Sequence, residues 1–136
     1  MIVVDTGPIV AAAAIRDPDH AACLEALTSL SEAPLITPFV VMEVCYFLST
    51  RASAAAEASF LRSLDSGTFR LVDLASSDLR RMADLIEKYA SLPLGAADAS
   101  VIAVAERFGA TVVMTLDHRH FSVVRPRHVD YFTLLP

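Results

Sequence analysis

Apolar residues fall along this chain in two kinds of run. Some runs are short, β-branched and unbroken; others recur at helical spacing. Ile2–Val4 and Thr111–Thr115 are of the first kind, with no polar alternation, which predicts strands of a parallel sheet covered on both faces. Pro34–Ile36 predicts a very short extended segment, Phe69–Leu74 alternates like a strand, and a last strand is expected near Tyr131–Leu134. Between them lie helical patterns. Thr6-Gly7 offers a cap and Pro8 a first helical position for an alanine-rich helix over Ile9–Ile15. His20–Leu30 repeats Ala21, Leu24, Leu27 and Leu30 at helical spacing. Thr37-Pro38 starts a helix whose body, Phe39–Leu48, is apolar nearly all round and so is expected to be buried. Arg51–Leu64 is more amphipathic. Ser76-Ser77-Asp78 caps a helix to Tyr89, with Leu79, Met82, Leu85 and Ile86 on one face. Ala96–Phe108 is small and apolar and ends at Gly109, suited to a left-handed C-cap. Strands alternating with helices over short loops predict an α/β fold, a parallel sheet flanked by helices through right-handed crossovers. No repeat or linker divides residues 1–136, so one domain is expected.

Composition changes this picture little. No apolar stretch approaches the ~18 residues of a membrane span, and the N-terminus lacks the form of a signal peptide, so a cytoplasmic location is expected and no membrane partner. The 54 % hydrophobic content exceeds what an ordinary soluble chain needs; a doubly covered sheet and a subunit or partner interface would use the excess. Cys23 and Cys45 have no metal-binding spacing and are expected as buried free thiols.

Charge is more informative. Most of the sixteen acids fall on polar faces or in loops. Four do not. Asp5 and Asp117 each follow a buried strand, Glu43 interrupts an apolar helical run, and Asp98 opens a helix nearly free of charge. Burying one unpaired carboxylate costs on the order of several kcal/mol. Lysine cannot answer them, since Lys88 is alone and distant in the pattern. A divalent cation would, and oxygen ligands favour Mg²⁺ or Mn²⁺ over zinc. Asp98 is equally served by a helix dipole, and Asp5 or Asp117 by a capping role, when each is taken singly. Glu43 has no such local use. In open parallel sheets, sites form beyond the carboxyl ends of the strands, where these four acids can meet.

The stretches Val4-Asp5-Thr6, Glu43, Asp98-Ala99 and Thr115-Leu116-Asp117-His118-Arg119-His120-Phe121, in this order and separation, resemble those of PIN-domain proteins, in particular the ribonuclease toxins of bacterial VapBC-type toxin–antitoxin pairs. The resemblance covers essentially the whole chain. It implies a three-layer α/β/α sandwich with a central, mostly parallel sheet of four to five strands. It implies a Mg²⁺-dependent endoribonuclease, with Mn²⁺ as a substitute, that cuts structured RNA (transfer or ribosomal) and inhibits translation. It assigns Asp5 and Asp98 as direct metal ligands, Asp117 as a direct or water-bridged one, and Glu43 as a ligand or an orienter of water. Thr6 and Thr115 become hydroxyls that hold the ligands, and Arg119, His118 and His120 candidates for RNA phosphate. The implied partners are RNA, a VapB-like antitoxin and a second copy, in a homodimer and a heterotetramer or larger complex. Helices over His20–Leu30 and Arg51–Leu64 are the expected antitoxin contacts.

Gly7 departs from the pattern, which usually has Ser after Asp-Thr. The net charge of −5 opposes binding to nucleic acid, but the four site acids carry −4 of it. Two other readings stand beside the toxin: a silent metal-binding PIN interaction module, and another metal-dependent phosphohydrolase. In the latter, His118 and His120 would join Asp117 on zinc or manganese, although His-x-His without a further paired ligand is a poor signal.

Overall fold

The computed structural model describes residues 1–136. Its elements run β1 (Ile2–Val4), α1 (Thr6–Ala13), α2 (His20–Thr28), β2 (Leu35–Ile36), α3 (Pro38–Arg51), α4 (Ala54–Asp65), β3 (Arg70–Leu71), α5 (Ser76–Lys88), α6 (Ala96–Phe108), β4 (Val112–Met114), α7 (His118–Val123) and β5 (Thr133–Leu135). The five strands form one sheet in the order β3-β2-β1-β4-β5, and every pairing is parallel. The chain winds from β1 outward to β2 and β3, then crosses back to β4 and β5. Right-handed crossovers therefore put the two sets of connecting helices on opposite faces, giving the α/β/α sandwich. The reversal of winding falls between β1 and β4, so a crevice opens beyond the ends of these two strands. Register is set by Val3 opposite Val113 and Val4 opposite Met114, all four fully buried. Asp5 and Thr115 are thereby carried out side by side at the sheet's carboxyl edge.

Several expectations need correction. The first helix begins at Thr6, with Asp5 in the N-cap position, so Pro8 sits in the first turn rather than at its first residue. Its missing N–H still falls among the donors a helix start leaves unpaired. The strand over Phe69–Leu74 reduces to Arg70–Leu71, because only this pair reaches the edge of β2. The last strand is Thr133–Leu135, and the helix at His118–Val123 was not foreseen. Its cue is a single cap: Asp117 Oδ1 accepts from the backbone N–H of His120 at 3.0 Å.

α3 is not buried all round. Val40, Val44 and Leu48 pack inward, while Met42 (71 % exposed) and Tyr46 (62 % exposed) face solvent. Leu79 and Ile86 are likewise exposed, leaving Met82 and Leu85 as the inner face of α5. Cys23 is buried, but Cys45 only half so. The cap of α5 is Ala75, whose N–H is held at 2.8 Å by Asp78 from three residues on.

That same Asp78 is only 3 % exposed and pairs with Arg107 of α6 at 2.9 Å. One helix length away from the carboxyl edge, Arg81 grips Glu106 through two bonds of 2.8 Å. These pairs tie α5 to α6 and show what a buried acid in this protein looks like when it is answered. Replacing Arg81 by Met should strand Glu106 and cost about 3 kcal/mol in urea unfolding. The double replacement Arg81→Met with Glu106→Leu should recover most of the loss; equal losses in both variants would contradict the pairing.

Candidate active site

Asp5, Glu43, Asp98 and Asp117 line one cavity of about 540 Å³ at the carboxyl edge of the sheet, together with Thr6, Gly7, Phe47, Arg51 and Leu116. Each acid arrives on a different element. Asp5 ends β1, Glu43 projects from the second turn of α3, Asp98 stands in the first turn of α6, and Asp117 heads α7. α3 and α6 are registered by a buried chain of hydroxyls. Val40 N–H bonds to Thr37 Oγ1 at 3.2 Å, and Thr37 meets Ser100 Oγ at 2.7 Å. Ser100 in turn donates to Ala97 O at 2.7 Å, so Thr37 must be the donor between the two hydroxyls. Glu43 and Asp98 are thus presented by helices fixed to each other at their N-termini.

Asp5 is 5 % exposed and makes no cap bond despite its N-cap position. Its Oδ2 instead accepts from Thr115 Oγ1 at 2.8 Å. An ionised carboxylate only accepts, so the single proton of Thr115 goes to Asp5, while Thr115 Oγ1 itself accepts from Asp117 N–H at 3.0 Å. Thr6 Oγ1 donates to Glu43 Oε2 at 2.5 Å. Both threonines therefore spend their protons on carboxylates of the cavity.

Gly7 now has a physical account. A Cβ there would lie 3.2 Å from Leu116 Cβ, so any side chain at this position would press on Leu116, which would have to give by a few tenths of an ångström. No lysine or arginine is ion-paired with any of the four acids. Burial pushes the Asp5 carboxyl up from its ordinary 3.8 to about 6; the bonds from Thr115 and the Thr6 backbone oppose this, and the charges of Asp98 and Glu43 add to it. Burial also raises Asp98, against the Gly95 N–H and His120, with Asp117 and Glu43 raising it further.

His118 and Arg119 point into solvent, away from the cavity's lining. His120 does not line the cavity either, but it is half-buried behind two of the acids, with Nδ1 2.6 Å from Asp117 Oδ2 and 3.4 Å from Asp98 Oδ2. Three lining residues were not singled out in the sequence: Asp17, Phe47 and Arg51. Two of them carried a signal, since Glu43, Phe47 and Arg51 repeat every fourth residue and so share a face of α3. The Arg51 guanidinium lies over the Phe47 ring, 4.3 Å from its centroid, and has no carboxylate partner.

The donor chemistry fits a divalent cation. The oxygens are hard, line one cavity from four elements, and have no lysine or arginine partner; a histidine ring lies beside two of them. The contrast with Asp78 and Glu106, each matched to an arginine, marks the cavity as different in kind.

Comparison with known proteins agrees with this geometry. A PIN domain family model matches residues 2–125. Ribonuclease VapC26 of Mycobacterium tuberculosis is 34 % identical over 135 residues, spanning 99 % of this chain and 100 % of that protein. Among solved structures, the fold is shared with M. tuberculosis VapC20, a toxin described as cleaving the sarcin–ricin loop (TM-score 0.78, 18 % identity, 83 % of this chain and 87 % of that one). It is shared also with a chain of Rickettsia felis VapBC2 bound to promoter DNA (TM-score 0.70, 18 % identity, both chains covered fully).

The raised Asp5 has a stability consequence. A carboxyl whose folded pKa lies above its unfolded one favours folding fully below about pH 3.8, and this contribution is lost as pH climbs through about 6. The loss is at most about 3 kcal/mol at ~1.4 kcal/mol per pH unit. In chelator, Asp5→Asn should therefore gain on the native protein in thermal unfolding as pH rises from 4 to 7. An advantage that does not grow over that interval would contradict the buried, unanswered carboxylate.

Proposed function

We propose that this chain, which belongs to the PIN-domain family, is a divalent-metal-dependent endoribonuclease and the toxin of a toxin–antitoxin pair. The observation that carries this reading is the cavity itself: four carboxylates from four elements, with no lysine or arginine bound to any of them. The 34 % identity, over nearly the full length, to a protein named as a ribonuclease supports the activity. Mg²⁺ is the proposed cation. Asp5 and Asp98 would hold it directly, Asp117 directly or through water, and Glu43 as a ligand or as the group that orients the attacking water. A cation so placed supplies Lewis-acid chemistry, drawing charge from a phosphoryl oxygen and lowering the pKa of water.

The chain's own contribution is positioning and selection. Thr115 locks one face of Asp5 and leaves its other oxygen to the cavity. Thr6 does the same for Glu43. An RNA backbone entering an acidic cavity needs one positive group to guide it. Arg51 is that group in this reading: held flat on Phe47, it loses little freedom on meeting a phosphate. Residues 1–136 would act as a single PIN domain.

Partners follow from the same reading. One solved relative of this fold is a VapBC complex, and another is FitAcB of Neisseria gonorrhoeae (TM-score 0.60, 18 % identity, 85 % of this chain and 86 % of that one). An antitoxin is the proposed neutralising partner, and a second copy the proposed dimer partner. The exposed Met42 and Tyr46 on α3, with Leu24 on α2 and Leu61 on α4, supply apolar area for such contacts. No helix is long and apolar enough to cross a membrane; action in the cytoplasm, where structured RNA is found, is part of the proposal.

Asp5→Asn keeps the shape of the side chain and an acceptor for Thr115 while removing the charge. It should abolish Mg²⁺-dependent cleavage of total RNA, by about a thousandfold or more, with an unchanged circular dichroism spectrum. Cleavage at the native rate would sink the nuclease reading. Arg51→Ala should raise KM about tenfold with kcat nearly unchanged and flatten the log–log salt dependence of RNA binding by about one unit. A kcat loss without a KM change would remove Arg51 from the substrate path.

A further inference from the structure

His120 is held by two sides of its ring. Nε2 lies 3.0 Å from the carbonyl oxygen of Leu92. A carbonyl only accepts, so Nε2 carries a proton. In the neutral ring Nδ1 then bears a lone pair, and it faces the acids: 2.6 Å from Asp117 Oδ2 and 3.4 Å from Asp98 Oδ2. Nδ1 is shielded from solvent, and neither contact has the alignment of a hydrogen bond. A proton on Nδ1 would therefore be poorly directed at both carboxylates. Three electron-rich atoms from Asp98, Asp117 and His120 lie within 4.8 Å of one another. Such a trio is repulsive unless positive charge sits among them.

We infer that His120 Nδ1 is itself a ligand of the divalent cation, completing a mixed nitrogen–oxygen set with Asp98 and Asp117. The inference rests on the metal-dependent reading of the cavity and goes beyond it, because it adds a nitrogen donor to a site otherwise made of oxygens. The parts of the arrangement agree with this role. The Leu92 carbonyl fixes the tautomer that leaves Nδ1 free, as outer hydrogen bonds do for metal-bound histidines. Asp117 caps α7 through Oδ1 and so leaves Oδ2 beside the ring three residues on. The unforeseen one-and-a-half-turn helix thus has a use: it brings residues 117 and 120 onto one side. Imidazole nitrogen binds Mn²⁺ more tightly than Mg²⁺, so this set should make the protein prefer Mn²⁺.

The test loads the full chain with one equivalent of Mn²⁺ and records electron spin echo envelope modulation. The expected result is ¹⁴N modulation from a directly bound imidazole, replaced by a ¹⁵N signal when histidine alone is ¹⁵N-labelled. The signal should vanish in His120→Gln and persist in His118→Gln. Calorimetric Mn²⁺ affinity should fall at least tenfold in His120→Gln, while Mg²⁺ affinity changes less than threefold. Saturable Mn²⁺ binding to the native protein without nitrogen modulation would overturn the inference and leave the oxygen-bound metal site standing. No saturable Mn²⁺ binding at all would overturn both. The labelled native protein decides the matter even if the variant does not fold.

Discussion

The hydrogen bond from Thr115 to Asp5 joins the ends of two neighbouring strands at the point where the winding of the sheet reverses. It holds a carboxylate where burial opposes its charge and where two further acids raise its pKa. Everything else in the cavity is arranged around that unanswered charge. The hydroxyls of Thr6 and Thr115 aim carboxylates without neutralising them. The Thr37–Ser100 contact sets the helices that bring Glu43 and Asp98. A structure optimised only for stability would have placed an arginine here, as it does for Asp78 and Glu106 at the other end of α5 and α6. The difference between these two ways of burying an acid is the strongest physical sign of function in the molecule.

The central part of this was legible in the chain. Ile2–Val4 and Val112–Met114 read as buried strands because they are β-branched without polar alternation, and an acid directly after each had to fall at the strand ends. Glu43 stood out because nothing local could use a carboxylate there. What could not be read depends on contacts made across the fold. The Arg81–Glu106 and Arg107–Asp78 pairs join residues more than twenty positions apart, so those acids look like ordinary surface residues in the sequence. Gly7 is explained only by Leu116, which reaches it from the far end of the chain.

Two features of the chain turn on the same missing information. α3 looked fully buried because its sequence is apolar on every side, yet one face has no neighbour within the chain, leaving Met42 and Tyr46 in solvent. His120 stood with His118 and Arg119 as a candidate for RNA phosphate, or with His118 and Asp117 as a metal ligand, and the sequence does not separate the three in direction. A short helix turns them in different directions, His120 toward the acids and Arg119 outward. Periodicity tells which residues share a face, but not whether anything covers that face. In the proposed reading, a partner chain covers the first and a cation engages the second.

A divalent cation that balances the cavity's carboxylates must compete with protons for them. The most direct measurement of this competition is a calorimetric Mg²⁺ titration of the full chain at pH 6 and pH 8, each in buffers of differing ionisation heat. Saturable binding is expected at both values, with protons released at pH 6, where Asp5 is about half protonated, and essentially none at pH 8. Absence of saturable binding, or binding at pH 6 with no proton release, would contradict a cation held by these carboxylates.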